Sequence, residues 1–261
     1  MIVSLSRILR KSAKVALGAA GQDVFLFHKK GFCNCCDSKT TFIAFDSNLR
    51  DQFFCQSCYS IPRQRAFMKI IDDLYPQWRN LNIHESSPNI KGCSVSRKLQ
   101  ENCKGYIPTQ YFVNRTLGEV IDGFRNEDLT RQTFGDGVFD LVLSQDVMEH
   151  VFSPEKAFAE IARTLRPGGA HIFTVPLVNK HRPTERWATL NDNGEVEFLH
   201  HPEFHGNPID PNGSPVSMHW GYDITRIIDA AGPTVSEIVH VDDLDLGIRA
   251  DLIEVVVSRR V

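Results

Sequence analysis

Hydrophobic and polar residues alternate along the chain in blocks whose spacing changes between helical and extended. In RQRAFMKIIDDLYPQW the apolar residues Phe67, Ile70, Ile71 and Leu74 recur at helical spacing, which predicts an amphipathic helix. The next segments predict a short strand (LNIHE), a short helix (VSRKLQENC) and a second strand (YIPTQYF). After a polar stretch, FDLVLSQ is apolar enough to predict a strand that is buried on both faces.

The second half of the chain continues this alternation. SPEKAFAEIARTLRPGG predicts the clearest helix, with Ser153 as its N-terminal cap, Pro154 in its first turn and Gly168 and Gly169 as its end. A strand (AHIFTVPL), a helix (YDITRIIDAAG) and two more strands (SEIVHVDD and LIEVVVSRR) follow. Because strands and helices alternate, the pattern predicts an α/β fold with a doubly wound, mostly parallel sheet.

Two segments fall outside this alternation and set the predicted domain boundaries. Residues 1–28 start with a basic stretch without acids and predict an amphipathic helix. It would pack on this protein or a partner, or serve as a membrane-surface or targeting helix. Residues 178–221 are too long for a simple connection and predict a lid or acceptor pocket inserted into a main domain at 63–261.

Composition and charge narrow the classes of partner. The 261 residues are 42% hydrophobic and 23% charged, and the net charge of −3 lacks the basic excess of a nucleic-acid-binding surface. We therefore expect no nucleic-acid partner, although a local basic patch of Arg63, Arg65 and Lys69 would favour one. No apolar run approaches the ~18 residues of a membrane-spanning helix.

The seven cysteines indicate a metal site and not a disulfide framework. Cys33 and Cys36 form one C-x-x-C pair, and Cys55 and Cys58 form another, which is the spacing of a structural Zn²⁺ site with four thiolates. Cys35 could replace Cys36 in a slightly shifted loop. The sequence therefore predicts a zinc-binding module at residues 29–62 in a protein of the reducing cytoplasm.

Two motifs, FGDGVFDLVLSQDVMEHV and AFAEIARTLRPGGAHIFTVPL, strongly resemble class I S-adenosylmethionine-dependent methyltransferases. The resemblance covers about residues 81–176 and extends to the C-terminal strands by pattern. With the cysteine module in front, the chain is similar to a bacterial group of these enzymes. The resemblance implies a seven-stranded Rossmann-like sheet whose last strand runs antiparallel, and S-adenosyl-L-methionine as the cofactor.

The resemblance also implies where the cofactor's methionine part binds. In the family the first strand ends in an acid and a glycine-rich turn. Here either His84 or Glu85 takes the place of the acid, and Ser86 and Pro88 stand where the first two glycines are expected. Because a side chain fills the gap that glycine leaves open, this is a variant turn in which the hydroxyl of Ser86 can contact the cofactor.

The remaining cofactor contacts are carried over from the same family pattern. Gln110 stands where the family places an acid for the ribose hydroxyls, so this interaction should be weaker. Asp128 is expected to accept the adenine amino group, with the backbone of Leu129 beside the ring. Gln145 or Asp146 would hold the methionine end, at the carboxyl edge of the sheet.

The candidate catalytic residues are His150 and Asp146. A histidine with a near-neutral pKa is the natural base for a hydroxyl or amine acceptor. The alternative is that His150 packs against loops or forms hydrogen bonds with them, since Glu-His is frequent at this place in the family.

Polar and aromatic residues of the insertion suit a sugar or another hydroxylated or anionic acceptor. The candidate pocket residues are Arg182, His205, His219 and Trp220. Five histidines in this segment raise the question of a second metal, which the lack of the i, i+4 pairing of a helical metal site disfavours.

These observations predict a cytoplasmic methyltransferase for a polar small-molecule acceptor, such as the hydroxyl of a sugar or glycan precursor. The glycine-poor turn and Gln110 leave a non-catalytic scaffold as one alternative. A nucleic-acid or protein methyltransferase that recognises its target through the zinc module is the other. Whether oxygen, nitrogen or carbon is methylated stays open, as does the oligomeric state.

Overall fold

The computed structural model describes residues 26–89, 94–207 and 209–261. The predicted N-terminal helix lies almost entirely outside the described residues, and the last two positions of its range, Phe27 and His28, belong to a strand. The first unit is a three-stranded antiparallel sheet with the order β1–β2–β3. Its elements are β1 (Phe27–Cys33), β2 (Ser38–Ala44), the one-turn helix α1 (Leu49–Gln52) and β3 (Phe53–Cys55).

The main domain contains helices on both faces of one large sheet. Its first part comprises α2 (Pro62–Leu74), β4 (Asn82–Ser86), α3 (Ser94–Asn102), β5 (Gly105–Gln110), β6 (Val120–Ile121), β7 (Phe124–Asn126), β8 (Phe139–Gln145), α4 (Pro154–Thr164) and β9 (Leu165–Thr174). The insertion adds short hairpin strands: β10 (Glu185–Arg186), β11 (Ala188–Leu190), β12 (Val196–Phe198), β13 (Phe204–His205), β14 (Ser214–Pro215) and β15 (Met218–His219). The last elements are α5 (Ile224–Ala231), β16 (Thr234–Val239) and β17 (Val255–Arg260). One-turn 3-10 helices occur at Trp78–Asn80, Met148–His150 and Leu244–Leu246.

The strand order of the large sheet is β16–β17–β9–β8–β4–β5–β7–β6. The five strands from β9 to β7 are parallel, whereas β17 runs antiparallel to both β9 and β16. This confirms the predicted Rossmann-like α/β fold and its antiparallel last strand. The sheet has eight strands and not seven, because the two-residue β6 pairs with β7 at one edge.

The end of α4 differs from the prediction. The helix ends at Thr164, and Ser153 forms no side-chain cap with any described residue. Pro167 explains the early end, because proline cannot continue a helix and disfavours helical geometry in the residue before it. Gly169 lies within β9, where an added Cβ would stand 2.9 Å from the carbonyl oxygen of Asp140. This glycine therefore allows β8 and β9 to approach each other.

A hydrophobic core lies on each face of the sheet. One core packs α2 and α3 against the sheet through residues such as Phe67 and Leu99, and it continues into the cysteine module. The other packs α4 and α5 through Phe158 and Ile228. Across the described ranges, no helix is both long and apolar enough to cross a membrane.

Candidate functional site

The four cysteines of the two C-x-x-C pairs come together at the ends of β1 and β3. All four sulfur atoms lie within 4.8 Å of one another. The Sγ atoms of Cys33 and Cys58 are 3.7 Å apart, and those of Cys36 and Cys55 are 3.9 Å apart. Sulfurs at about 2.3 Å from a tetrahedral Zn²⁺ are about 3.8 Å from each other, so this donor set fits zinc. Cys36 belongs to the cluster, whereas the buried Cys35 does not.

Buried cations attach this cysteine module to the main domain. Arg65 of α2 is fully buried and donates hydrogen bonds to the carbonyl oxygens of Ser60, Phe53 and Gly247. Lys98 of α3 donates to the carbonyl oxygen of Asn34 at 2.8 Å, inside the first cysteine turn. Because buried charged groups require such partners, these contacts fix the module against α2, α3 and the C-terminal segment.

An arginine side chain of the module also reaches the carboxyl edge of the large sheet. Arg50 of α1 donates to Oδ2 of Asp146 at 2.8 Å, and Nε of Arg63 lies 3.2 Å from the same oxygen. Thr174 donates its hydroxyl to Oδ1 at 3.1 Å. Asp146 follows β8 directly and has a positive φ of 51°. The cysteine module therefore forms part of the same edge as the methyltransferase motif.

The structure does not support the predicted catalytic role of Asp146. Burial alone would raise the pKa of this carboxyl, but the charges of Arg63 and Arg50 and its hydrogen bonds bring the pKa below its usual value. Both carboxylate oxygens are engaged. Asp146 is thus a poor proton acceptor, and it holds two arginines in place.

The predicted basic patch does not form. Arg63 pairs with Asp146, Arg65 is buried, and Lys69 pairs with Asp73 at 2.7 Å. The three cations are therefore neutralised or enclosed, and they do not form a common surface for a nucleic acid.

Glu85, at the end of β4, is fully buried in a set of hydrogen bonds. Ser96 and Tyr106 donate hydroxyls to its two oxygens at 2.7 Å, and the amide of Gln145 donates at 3.1 Å. Burial raises the pKa of Glu85, and these three hydrogen bonds counteract the increase. Glu85 thereby connects the ends of β4 and β8, where the first turn of the family pattern begins.

The glycine-like position of that turn is Ser87, which the sequence prediction did not single out. Ser87 has a positive φ of 54°, and its N–H donates to the carbonyl oxygen of Thr109 at 2.8 Å. Ser86 is still part of β4 and is 6% exposed. The left-handed conformation costs a non-glycine residue roughly 1–2 kcal/mol, so the variant turn keeps the glycine backbone geometry without glycine. Ser87, which lies between the predicted positions Ser86 and Pro88, is thus the residue of this turn whose backbone conformation favours glycine.

His84 belongs to the core and not to the cofactor edge. Because side chains alternate along a strand, it points away from the face of Glu85. Its ring packs between Phe134 and Phe139, with centroids 5.3 and 5.2 Å away, and Nε2 lies 2.8 Å from Oγ1 of Thr109. Burial lowers the pKa of His84 to about 3, so the ring is neutral.

The other predicted cofactor residues follow the neighbouring strands. Gln110 ends β5 and is 7% exposed. Asp128 forms a local turn in which Oδ1 accepts the N–H and the hydroxyl of Thr130 at 2.8 and 2.7 Å. Leu129 beside it is buried. Gln110 and Asp128 are close in the fold, since Glu127 donates its backbone N–H to the carbonyl oxygen of Gln110.

His150 and two of the predicted acceptor residues form a separate cluster around buried Glu149. The rings of His150 and His205 meet edge to face at 5.0 Å. His205 and His219 share the carboxylate of Glu203, at 3.3 and 2.9 Å. His150 and His205 are contributed by different loops that meet in the fold.

The other two predicted acceptor residues do not join this cluster. Trp220 is fully buried in the core beside Phe158, because α4 and α5 enclose it, so it cannot line an open pocket. Arg182 is exposed and donates to Oδ1 of Asn179 at 3.1 Å within its own loop. The acceptor prediction for these two residues is therefore not supported.

A cleft of about 740 Å³ lies between the cysteine module and the C-terminal segment. Arg50, Lys180, Tyr222, His240 and Glu254 are among its lining residues. Glu254 is 8% exposed, and its Oε2 has no hydrogen-bond partner in the described structure. Sequence reasoning missed this glutamate, although an acid within the apolar run LIEVVV was a signal.

Comparison with known proteins agrees with the observed sheet. Residues 82–173 match the family model for the methyltransferase domain. Sarcosine/dimethylglycine N-methyltransferase from Halorhodospira halochloris is 38% identical over 89 residues, which cover 34% of this chain and 30% of that protein. The match thus spans less than a third of the relative's length.

Two solved structures are similar at lower identity. An S-adenosylmethionine-dependent methyltransferase from Mesorhizobium loti has a TM-score of 0.48 and 16% identity, over 75% of this chain and 98% of that one. Burkholderia thailandensis 1,6-didemethyltoxoflavin-N1-methyltransferase has a TM-score of 0.43 and 14% identity, over 76% and 78%. The part of the chain that matches the methyltransferase domain model, residues 82–173, contains β4, β5, β7, β8 and most of β9, which form the parallel centre of the Rossmann-like sheet.

Proposed function

We propose that this protein is a zinc-containing methyltransferase that transfers the methyl group of S-adenosylmethionine to a small polar acceptor. The observation that carries this proposal is the junction at Arg50. This residue pairs with Asp146 at the edge where the family motif ends, and it also lines the open cleft. A cofactor bound along the strand ends would therefore lie next to an acceptor in the cleft.

On the cofactor side, the donor set suits each part of S-adenosylmethionine. The amide of Gln145, held by Glu85, would bind the methionine part, and Gln110 the ribose hydroxyls. Asp128 would accept the adenine amino group through Oδ2, since Oδ1 is occupied by Thr130. When bound, the cofactor supplies an electrophilic methyl group on a sulfonium, and the protein aligns the acceptor with it.

On the acceptor side, the cleft combines two kinds of charge. Arg50 and Lys180 suit a phosphate or carboxylate of the acceptor, whereas Glu254 and Tyr222 suit its hydroxyl or amine groups. We therefore propose an anionic hydroxylated acceptor, such as a sugar or glycan precursor. Nε2 of His150 faces Glu149 at 3.7 Å and is not directed to the cleft, so His150 is not placed to act on the acceptor. Glu254, which lines the cleft, would instead accept the hydrogen bond of the acceptor's hydroxyl or amine group.

A zwitterionic amine is the second candidate acceptor. The same buried carboxylate that suits a hydroxyl would pair with an ammonium group, while Arg50 would pair with a carboxylate. The relative from Halorhodospira halochloris is named for the N-methylation of sarcosine and dimethylglycine, which are molecules of this kind.

The test is formation of S-adenosylhomocysteine with a panel of phosphorylated sugars, neutral sugars and amino acids. We expect turnover with an anionic hydroxylated compound. Glu254→Gln should raise the acceptor KM by about 10- to 100-fold, because a hydrogen bond to a charged group contributes roughly 1.5–3 kcal/mol. Glu237→Gln, an exposed acid paired with Arg259, is the matched control and should leave KM unchanged. Turnover with amines alone would favour the second candidate. An equal KM for both variants would contradict the cleft assignment.

A further inference from the structure

The cluster of histidines around Glu149 encloses a buried carboxylate whose negative charge no hydrogen bond compensates, and the proposed methyl transfer does not use it. Glu149 lies in the 3-10 turn Met148–His150 and is 2% exposed. Neither of its carboxylate oxygens has a hydrogen-bond partner within the described ranges. A buried carboxylate without partners is strongly unfavourable unless a cation or a proton compensates it.

The two nearest side chains are histidines, but neither donates a hydrogen bond to this carboxylate. Nε2 of His150 and Nδ1 of His205 lie 3.7 and 3.6 Å from Oε1 of Glu149. These distances exceed those of a hydrogen bond, which for a charged pair would be about 2.7–2.9 Å. The histidines therefore surround the carboxylate at a distance that leaves room between the three groups.

The opposite ring nitrogens fix the orientation of both histidines. Nδ1 of His150 lies 2.9 Å from the carbonyl oxygen of Pro215, an acceptor, so this nitrogen carries the proton. Nε2 of His205 lies 3.3 Å from Oε1 of Glu203, which favours a proton there too. The lone pairs of Nε2 in His150 and Nδ1 in His205 then face Glu149. Three acceptors pointing at one another repel unless a proton or a metal cation lies between them.

We propose that Glu149, His150 and His205 bind a divalent transition-metal ion. The three ligand atoms lie within 4.8 Å of one another. Two imidazoles and one carboxylate suit Zn²⁺, Mn²⁺, Fe²⁺ or Ni²⁺ better than the all-oxygen sites of Mg²⁺ or Ca²⁺. Three protein ligands leave coordination positions open, as in metal sites that bind a further ligand.

The surroundings provide the outer contacts that metal-binding histidines require. Metal-binding histidines usually donate their second N–H to a carboxylate or a backbone carbonyl, as both histidines do here. Glu203 is itself held by Nε2 of His219 at 2.9 Å, and His219 stacks on Trp187 with centroids 3.7 Å apart. Ser217 donates its N–H and hydroxyl to the carbonyl oxygen of Glu149 at 2.8 and 3.0 Å. The insertion thus holds His205 against the 3-10 turn.

The lack of i, i+4 histidine pairing on a helix does not exclude this site, because its ligands do not lie on one helix. The ligands instead come from the turn after β8 and from the insertion, which β14 and β15 bring together. The site is chemically distinct from the four cysteines, because its donors are nitrogen and oxygen. The site also acts electrostatically on Arg50, which lines the cleft. Burial lowers the pKa of Arg50, but the nearby carboxylates, Asp146 most and Glu149 to a smaller extent, raise it above its usual value.

The test is a Mn²⁺ titration of the full chain, followed by electron paramagnetic resonance of the free ion. Mn²⁺ is the probe because it is paramagnetic and favours hard donors such as the carboxylate of Glu149 over thiolates, so it leaves the four cysteines to zinc. The protein is first brought to one zinc per chain with a mild chelator. We expect one Mn²⁺ to bind per chain, and added Zn²⁺ to displace it, as the order of metal affinities requires.

Variants separate this site from adventitious binding. Glu149→Gln and His205→Ala should weaken Mn²⁺ binding at least 100-fold, and Glu203→Gln, which acts through His205, about 10- to 100-fold. His201→Ala, an exposed histidine outside the cluster, should bind as the wild type does. Circular dichroism and retention of the first zinc verify that each variant is folded.

Two results would overturn the proposal: absence of Mn²⁺ binding to the wild type at millimolar concentration, or equal binding by wild type and folded Glu149→Gln and Glu203→Gln. The titration needs neither cofactor nor acceptor. Its failure is therefore distinguishable from a failure of the proposed methyl transfer.

Discussion

Replacing Cys55 with serine is expected to abolish the proposed zinc binding and to unfold the cysteine module. Cys55 is fully buried at the end of β3 and supplies one of the four clustered sulfur atoms. Structural zinc of this kind contributes roughly 10–16 kcal/mol of apparent binding free energy, which is also folding free energy. Loss of the module would remove Arg50 from Asp146 and Asn34 from Lys98, so cofactor affinity should fall as well. Zinc content, limited proteolysis and cofactor binding measure the three effects.

Cys103→Ser is the matched control for this variant. Cys103 is also buried, but its Sγ lies near the carbonyl oxygens of Trp78 and Leu81 and outside the sulfur cluster. We expect it to keep one zinc per chain and a protease-resistant module. If Cys55→Ser kept full zinc and native stability, the four-cysteine site would be excluded as a structural metal centre.

The second large effect is expected for Asp146→Asn. This change removes the carboxylate that Arg50 and Arg63 share and leaves Arg50 only the more distant Asp51 at 3.5 Å, while the volume of the side chain stays the same. Breaking a buried ion pair costs 3–5 kcal/mol, and because the Asp146 side chain is still 19% exposed we expect a loss of about 2–3 kcal/mol. Urea unfolding monitored by circular dichroism measures this difference in the free energy of unfolding.

Two comparisons decide whether the arginines cause that loss. Asp136→Asn removes an acid that pairs with Arg163 at 2.7 Å but is 78% exposed, so it should cost less than about 1 kcal/mol. Adding Arg50→Met to Asp146→Asn removes one of the two cations that have lost this carboxylate and should recover part of the stability. Equal losses for Asp146→Asn and Asp136→Asn would show that Asp146 does not anchor the module.

The sheet could be predicted because the information for it is local. Alternating apolar segments determine which residues form β4, β5, β8 and β9, and their order follows from the family resemblance. The end of α4 differs from the prediction because Pro167 stops the helix before it reaches Gly168 and Gly169. Gly169 in β9 is required because the backbone of Asp140 in β8 approaches it closely. The spacing of apolar residues along the chain cannot reveal such a contact between strands.

The site could be predicted only in part, because much of it arises from distant contacts. The Cys-x-x-Cys spacing is local, and the cluster forms as predicted from it. The pairing of Arg50 with Asp146 joins residues 96 positions apart, so the sequence could not show that Asp146 was engaged. Likewise, His205 reaches Glu149 only because the insertion folds back onto the turn after β8.

The most direct test of the proposed function is calorimetric titration of the zinc-loaded protein with S-adenosylmethionine and S-adenosylhomocysteine. We expect binding with a micromolar Kd. We also expect Asp128→Asn to weaken binding about tenfold, since one hydrogen bond to a charged acceptor is lost. Such a result would support the turn at Ser87 as a working substitute for the glycine-rich turn. If neither compound binds at millimolar concentration, the proposed methyl transfer is contradicted and a non-catalytic scaffold becomes the better explanation.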